Sequence, residues 1–418
     1  MINKIRGALS LKYSFLGSVF FGFIVWILVY IILPIETPSI STETISFIIC
    51  GLFALILGFY SFKFKFKAKD FSLNKYYYVI LIVLFSSLFF RYLDLFYFRE
   101  TRFNHTYIAN KLLCNQNALK TPLLITLLSS IRVLFFIPIV YLIFKKSKDK
   151  LKWILAILLV FLANIEILLL GTRKPIFYLA IVIFLARAYS ENYASIFNKK
   201  ALIKITLTLF ILFFFSFLVL NKRNNENNKN NKGLVTITDS RYNDFVKIED
   251  YKIKEFYSDP YGLKTKSEIM LIHTGQYIVH GIFEFDYIVR NNFPKAKGLY
   301  SFNPIYKFTN RIGLTNKSFN IRLHHPREYV YVTFFGSLFI DFGWFALIVI
   351  FLFGVFQKII FSIVNENIFA KLLWVVILSI NLLMPIFNLA TGSGLYIIIY
   401  LFIALLATLK WSTNKLKS

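Results

Sequence analysis

The sequence predicts an all-α polytopic integral membrane protein. Two features of the composition indicate this class: 57% of the 418 residues are hydrophobic and only 17% are charged. The third feature is the hydropathy pattern. Apolar runs of about 18 or more residues recur along the chain, and each is long enough to cross roughly 30 Å of hydrocarbon as a helix. The runs are continuous rather than alternating, which excludes a membrane β-barrel.

About ten transmembrane helices are predicted, and up to twelve if some segments split. Each is an apolar run bounded by polar or charged residues, and the sixth is short. The predicted segments are 14–33, 45–62, 76–98, 121–144, 153–170, 175–187, 201–220, 343–361, 372–389 and 395–409.

The charges of the connecting loops predict the orientation. The first loop, PIETPSISTET, contains two glutamates and no basic residue, whereas KFKFKAKD (63–70) and KKSKDKLK (145–152) are strongly basic. Cytoplasmic loops carry the excess of Lys and Arg, so the two basic loops are predicted to lie inside. An even number of spans then places both termini in the cytoplasm, in agreement with the basic KLKS at the end of the chain.

The formal net charge of +27 does not indicate a nucleic-acid partner. Most of the lysines lie in short clusters between apolar runs, where they set the membrane topology. No nucleic acid is therefore expected as a partner.

One polar segment, residues 221–330, interrupts the apolar pattern and is predicted to lie outside. It begins with NKRNNENNKNNKG and continues with denser aromatic residues, which suggests a linker followed by a small folded unit. It contains 18 Lys and Arg and 11 Asp and Glu, a net charge of +7. Long loops translocate regardless of charge, so this excess is free to hold an anion. The chain is thus divided into an N-terminal bundle of about seven helices (1–220), a large outer loop (221–330) and C-terminal helices (331–418).

The short outer turn in LLLGTRKPIFYLA (168–180) places basic side chains at the membrane face. Gly171 permits a tight turn and Pro175 suits the start of the next helix. Arg173 is then held near a helix N-terminus, and both a guanidinium and a helix N-terminus favour phosphate oxygens. The alternative is that Arg173 contacts only lipid headgroups, and its position does not decide between the two.

Charged residues inside predicted spans are the second group of candidates. Glu166 lies in the fifth span and Arg132 near the middle of the fourth. Such charges are rare and face a partner or a cavity. A structural ion pair between Arg132 and Glu166 is favoured over a catalytic role for either. Arg91 and Asp94, three residues apart, are expected to pair with each other.

The segment RLHHPRE (322–328) is the densest group of ionisable residues, and it lies at the edge of an apolar run. Pro326 disfavours a helix just before it, so a turn at the outer interface is expected. The group supplies cations for an anion and proton acceptors for catalysis. Its ionisable members are Arg322, His324, His325, Arg327 and Glu328.

Asp341 lies within the apolar run that follows. Residues 329–340 are expected to lie along the outer surface or to re-enter the membrane, with the eighth span starting at Gly343. Asp341 is then expected to cap the N-terminus of that span, where a carboxylate stabilises free N–H groups.

No metal ion or cofactor is predicted. His273 and His280 are seven residues apart and suit one helical face, but no third ligand has a convincing spacing. Walker loops, dinucleotide fingerprints and serine-nucleophile elbows are missing from the sequence.

These features together resemble the bacterial O-antigen polymerases, the oligosaccharide repeat-unit polymerases of Wzy type. The resemblance covers most of the chain: its spans, its cytoplasmic termini and one large outer loop. A double Arg-rich loop pattern of some members is not evident here. The local matches are GTRKPIFYLAI, HGIFEFDYIVRNNFPKAKGLYSFNPIYKF and YVTFFGSLFIDFGWFALIVIFLFG.

The resemblance implies a metal-independent glycosyltransferase at the periplasmic face of the bacterial inner membrane. Such an enzyme moves a growing glycan from undecaprenyl diphosphate to the non-reducing end of a new lipid-linked repeat unit. The expected partners are undecaprenyl-diphosphate-linked oligosaccharide, membrane lipid and a chain-length regulator protein. The expected catalytic residues are His324 or His325 with Glu328, and the expected diphosphate-binding residues are Arg173, Arg322, Arg327 and, as a weaker candidate, Arg290.

Two alternatives stay open from the sequence. An O-antigen ligase uses the same lipid-linked donor and is poorly distinguished. A lipid-linked oligosaccharide flippase or another transporter is expected to distribute charges through the bundle and to lack a long outer loop, which is the reverse of the observed pattern.

Overall fold

A computed structural model describes residues 2–64, 73–171, 174–190, 240–259, 262–315, 319–327 and 330–414. These residues are mostly helical, which confirms the predicted all-α class. The predicted seventh span (201–220) and the Asn-rich start of the outer loop lie outside the described residues. The division into three parts at 220 and 330 stays a prediction.

The helices before the outer loop alternate between long apolar elements and short connecting ones. Their bounds are α1 (Ile2–Ile32), α2 (Thr42–Ser61), α3 (Tyr77–Leu93), α4 (Tyr107–Gln116), α5 (Leu123–Ser130), α6 (Ile137–Lys145), α7 (Lys150–Leu170) and α8 (Lys174–Ser190).

The outer loop and the C-terminal part add seven helices within the described residues. They are α9 (Asp250–Ser258), α10 (Leu263–Asn291), α11 (Asn303–Arg311), α12 (Phe334–Phe342), α13 (Ala346–Ile363), α14 (Ile368–Leu383) and α15 (Ser393–Asn414). A two-residue strand β1 (Ile35–Glu36) pairs antiparallel with β2 (Lys247–Ile248). This pairing joins the first outer loop to the large one.

Within the described residues, six helical segments are long and apolar enough to cross a membrane, and three shorter apolar helices accompany them. The six are Ser14–Ile32, Thr42–Ser61, Leu73–Phe98, Leu123–Lys145, Lys150–Leu170 and Phe334–Ile363, and the three are Pro175–Ser190, Ile368–Leu383 and Ser393–Leu409. Most of these coincide with predicted spans to within a few residues, because hydropathy over about 20 residues is a local property.

The centre of the bundle is α14, whose side chains are almost all buried. It packs against α1, α8, α13 and α15, and Trp374 is fully buried there. The most extensive helix pair is α2 with α13, which approach closely at Gly58 and Gly354. Small residues allow such an approach, and close backbone contact is a main source of attraction between helices in lipid.

Two of the apolar segments depart locally from α-helical geometry. Residues Asp94–Phe98 continue α3 as a π-helix. Residues Ile131–Leu134, between α5 and α6, form a 3-10 turn. Pro138 in the first turn of α6 explains the second break, since proline has no N–H and its ring clashes with the carbonyl four residues earlier.

The segment before α13 agrees with the prediction in one respect and differs in another. A helical segment does start at Gly343, as expected, because the 3-10 turn Gly343–Phe345 leads into α13. The preceding residues form a helix of their own: α12 begins at Phe334, where the Thr333 hydroxyl accepts the N–H of Gly336 at 2.9 Å. Gly343 separates α12 from α13, with a φ of 57° that favours glycine. Asp341 therefore lies in the last turn of α12.

The large outer loop packs onto the bundle. Its longest helix, α10, contacts α1, α2 and α12. The indole N–H of Trp26 on α1 donates to the carbonyl of Val279 at 3.1 Å, and the hydroxyl of Thr44 on α2 donates to Asp286 at 2.8 Å. These contacts fix the position of α10, on which the candidate site is built.

Candidate functional site

One face of α10 carries a row of buried polar side chains. Gln276, His280 and Glu284 are four residues apart, so they lie above one another on the same side of the helix. The amide of Gln276 donates to Asn243 and to the carbonyl of Val246, both at 2.7 Å. The ring of His280 packs against that of Tyr242 at 4.3 Å. The row therefore faces the start of the described outer loop.

Glu284 joins this row to the RLHHPRE segment. It is 1% exposed, and one carboxylate oxygen lies 3.0 Å from Nε2 of His325. The other lies 3.0 Å from Nε of Arg327. A buried carboxylate needs partners of this kind, because an unpaired buried charge is costly. The segment is thus anchored to α10 through Glu284.

His325 is an internal residue of this network. It is 4% exposed, and its second ring nitrogen, Nδ1, lies 3.3 Å from the hydroxyl of Tyr300. Burial raises the pKa of the Tyr300 phenol, so Tyr300 keeps its proton and donates to Nδ1. Nε2 then carries the proton that is donated to Glu284. With both nitrogens engaged, His325 holds the segment in position and presents no free nitrogen to a substrate.

His324 has the opposite environment. It is partly exposed, and its Nδ1 lies 2.6 Å from the carbonyl oxygen of Pro294. A carbonyl can only accept, so Nδ1 donates, and the neutral ring keeps a bare lone pair on Nε2. The imidazole also stacks on Phe319, with ring centroids 5.4 Å apart. This arrangement suits a general base that is held by one nitrogen and acts through the other.

Two of the predicted diphosphate-binding arginines have protein partners. The guanidinium of Arg327 lies 2.7 Å from Asp244, donates to the carbonyl of Arg241 at 2.7 Å and lies over the ring of Phe245 at 4.3 Å. Arg290 donates to Asp286 at 2.6 Å. Arg327 thus cross-links the outer loop, whereas Arg290 pairs within α10 and also donates to the carbonyl of Ser39 at 2.5 Å.

The remaining predicted site residues are Arg322, Arg173 and Glu328. Arg322 is exposed on the short turn Ile321–Leu323, beside His324. Arg173 and Glu328 lie outside the described residues. Gly171, at the start of the Arg173 turn, has a φ of 61°, as expected for a tight turn.

Asp341 does not cap a transmembrane helix, and that expectation is corrected here. Its two carboxylate oxygens accept the backbone N–H groups of Tyr300 at 2.9 Å and Ser301 at 2.8 Å. The N–H groups of Ala296 and Lys297 donate to the carbonyls of Ile340 and Asp341, each at 2.9 Å. Asp341 therefore fastens the turn that carries Tyr300 to α12, and so supports His325 indirectly.

Lys295 is a candidate that the sequence reasoning missed. Its ammonium group lies 4.2 Å from the ring centroid of Phe339 and has no hydrogen-bond partner among the described residues. Desolvation lowers its pKa, and the charge of Glu43 only partly offsets this. Lys295 directly follows Pro294, whose carbonyl holds His324. The Pro-Lys pair in the motif NNFPKAK was the available signal.

The intramembrane charges are close together. Arg132 and Glu166 form the predicted ion pair at 3.1 Å, and Arg91 and Asp94 form theirs at 2.5 Å. Arg91 also pairs with Glu166, a contact that the sequence did not suggest. Among the residues that the structure covers, no group of three or more His, Cys, Asp and Glu side chains is placed to hold a metal ion.

Comparison with known proteins identifies one family. The family model described as O-antigen polysaccharide polymerase Wzy matches residues 11–242, more than half of the chain. The match ends before α10 and the RLHHPRE segment. Searches of curated proteins and of solved structures found no significant match.

Proposed function

Because the chain belongs to the O-antigen polysaccharide polymerase Wzy family, we propose that it is a glycosyltransferase at the periplasmic face of the inner membrane. Family membership makes it a membrane polysaccharide polymerase that acts on lipid-linked oligosaccharide repeat units. The proposed reaction transfers the growing glycan from undecaprenyl diphosphate to the non-reducing end of a new lipid-linked unit. Both termini are proposed to be cytoplasmic, with a chain-length regulator as a further partner.

The geometry of His324 carries the catalytic part of the proposal. The acceptor hydroxyl must lose a proton as it attacks the sugar carbon, and a neutral imidazole with a free Nε2 can take it. The hydrogen bond from Nδ1 to Pro294 fixes the ring and makes Nε2 the accepting atom. The buried neighbour His325 is assigned a positioning role. Glu328 is proposed as an orienter or alternative base.

The leaving group is a diphosphate, so positive charge near its oxygens lowers the barrier. Arg322, exposed two residues before His324, is assigned to this charge. Arg173 is proposed as a further ligand at the turn between α7 and α8. Arg327 and Arg290 are weaker candidates, because carboxylates of the protein already bind them.

The test of this assignment is complementation of a strain that lacks the protein. His324→Gln retains a donor for Pro294 but lacks the base, and we expect lipopolysaccharide with single repeats in place of long chains. His105→Gln, a histidine substitution elsewhere on the outer face, is the matched control and should retain long chains at equal protein level. Normal long chains from the His324→Gln variant would remove His324 from the mechanism.

The same strain distinguishes the alternatives. A polymerase deletion leaves single capped repeats on lipopolysaccharide, whereas a ligase deletion leaves none. A flippase is tested by reconstitution with lipid-linked repeat units: translocation without new glycosidic bonds would contradict the polymerase assignment.

A further inference from the structure

Five charged side chains form one connected cluster in the outer part of the bundle. Arg132 contacts Glu166 at 3.1 Å, and Arg91 contacts both Glu166 and, at 2.5 Å, Asp94. Arg99, at the outer end of the π-helical turn, contacts Asp94 at 2.9 Å. Four of the five groups come from three apolar segments that are separate in sequence, and Arg99 directly follows the first of these segments.

The cluster has one positive charge too many. It contains three guanidinium groups and two carboxylates, and within the described parts of the chain no other carboxylate forms an ion pair with these arginines. Nε of Arg91 is buried without a hydrogen-bond partner there. An uncompensated positive charge beside apolar helices is costly, and the ion pairs within the cluster do not balance it.

The helices around the cluster are distorted at the cluster itself. Asp94 begins the π-helical turn of Asp94–Phe98, and Arg132 lies in the 3-10 turn Ile131–Leu134. Local departures from α-helical geometry within membrane helices recur at sites that bind ions or substrates. Two such departures in neighbouring helices, both at charged residues of one cluster, point to a ligand.

Arg132 is the most exposed of the three arginines of the cluster. Leu95, Cys114 and Leu169 pack together in a hydrophobic cluster, and Arg99 donates to the carbonyl of Cys114 at 2.9 Å. The Arg132 side chain is 28% exposed, compared with 12% for Arg91. Leu124 and Leu127, on the preceding turns of α5, are 66% and 39% exposed. A ligand that reaches Arg132 along this part of α5 would therefore contact exposed apolar side chains.

We propose that the Arg91–Arg132–Glu166 cluster is a binding site for the phosphate group of a membrane lipid, which enters laterally at Arg132. A phosphate supplies the missing negative charge, and a guanidinium binds it with charge-assisted hydrogen bonds. Its apolar chains suit the approach past α5. The site is separate from His324, and lipid binding there does not depend on the transfer reaction.

The test compares variants that lower and raise the net positive charge of the cluster. Purified full-length protein in detergent is titrated with undecaprenyl diphosphate, and bound lipid is measured by native mass spectrometry. We expect Arg132→Gln to weaken binding roughly tenfold, as for a lost charge-assisted hydrogen bond. Glu166→Gln raises the net charge of the cluster and should tighten binding. Arg102→Gln, an exposed arginine between the π-helical turn and α4, should leave it unchanged.

If the cluster has only a structural role, a different result is expected: lipid binding is weaker in both Arg132→Gln and Glu166→Gln, or it changes in neither. Each of these outcomes would overturn the proposal. If Glu166→Gln does not fold, Arg132→Lys replaces it: binding must exceed that of Arg132→Gln because the charge is retained, and equal loss also overturns the site.

Two further probes identify the source of the phosphate. Phosphatidylglycerol that binds as tightly as undecaprenyl diphosphate would support a general anionic-lipid site, and weaker binding would support a polyprenyl diphosphate site. Inorganic pyrophosphate should compete poorly, because it lacks an apolar chain. Equal competition by pyrophosphate would contradict a lipid site. Binding of the sugar-free lipid needs no polymerisation, so this test and the His324 test fail independently.

Discussion

The carboxylate of Glu284 and the imidazole of His325 lie 3.0 Å apart, although 41 residues separate them in the chain. Both are buried, and Arg327 completes the group from the other carboxylate oxygen. The contact joins α10 to the segment that carries His324. It explains why adjacent histidines have different environments: His325 points inward as the anchor, and His324 is left partly exposed.

Removal of the Glu284 carboxylate should be severely destabilising. Glu284→Ala leaves Arg327 and His325 without their buried partner, and loss of one member of such a group costs about 3–5 kcal/mol. The measurement is thermal unfolding of the purified protein in detergent. Glu100→Ala is the matched control: its pair with Lys120 is more than half exposed on both sides, so we expect a loss of about 1 kcal/mol or less. Equal losses in the two variants would contradict the anchoring role.

Asp341 should matter through the turn that it holds. Asp341→Ala leaves the buried N–H groups of Tyr300 and Ser301 without acceptors, and each unsatisfied group costs about 1–3 kcal/mol. We expect lower thermal stability and faster proteolysis within residues 294–315. Asp250→Ala, whose side chain is 70% exposed, serves as the control. Unchanged proteolysis in the Asp341 variant would show that the turn is held by other contacts.

The contact between α2 and α13 should not tolerate a methyl group. A Cβ atom at Gly354 would lie 2.3 Å from the carbonyl oxygen of Leu55, and one at Gly58 would lie 2.1 Å from that of Phe351. Because both obstacles are backbone, Gly354→Ala should destabilise the protein by about 1–3 kcal/mol. Gly17→Ala meets no described atom within 4 Å and should be neutral or slightly stabilising. The readout is the midpoint of thermal unfolding.

Stability should fall on acidification because of His280. Burial lowers its pKa from the ordinary 6.5 to about 4, while Tyr242 and the charge of Arg327 lie close to the ring. Between these two pH values the unfolded chain binds a proton that the folded protein does not. Stability is therefore complete above about pH 6.5 and decreases towards pH 4, with a total loss on the order of 3 kcal/mol from this residue.

The control for this effect is His280→Gln, which removes the titrating group. Unfolding midpoints measured across the same pH range should depend less steeply on pH in this variant, whatever its stability at neutral pH. Parallel curves for the variant and the wild type would assign the acid sensitivity to other groups.

The candidate site was predictable only as a list of residues. The density of charge in RLHHPRE singled out His324 and His325, but nothing in the sequence separates the partly exposed histidine from its buried neighbour. The expected role of Asp341 was wrong for a related reason. The start of a helix depends on its N-cap, here Thr333, while the partners of Asp341 lie 40 and 41 residues earlier in the chain. Lys295 was missed because the feature that distinguishes it is an ammonium group with no hydrogen-bond partner among the described residues. That feature depends on how the surrounding segments pack.

By itself, the sequence determined the helical membrane class, the approximate limits of most apolar segments and the pairing of residues near one another on a helix, such as Arg91 and Asp94. These properties follow from hydropathy over about 20 residues and from helical periodicity, both of which are local. Only the tertiary structure decided that Arg327 is bound by Asp244 and Glu284, that His325 is buried and His324 accessible, and that Arg91 joins Arg132 at Glu166. Burial and hydrogen-bond partners depend on which distant segments meet, and no local pattern encodes that.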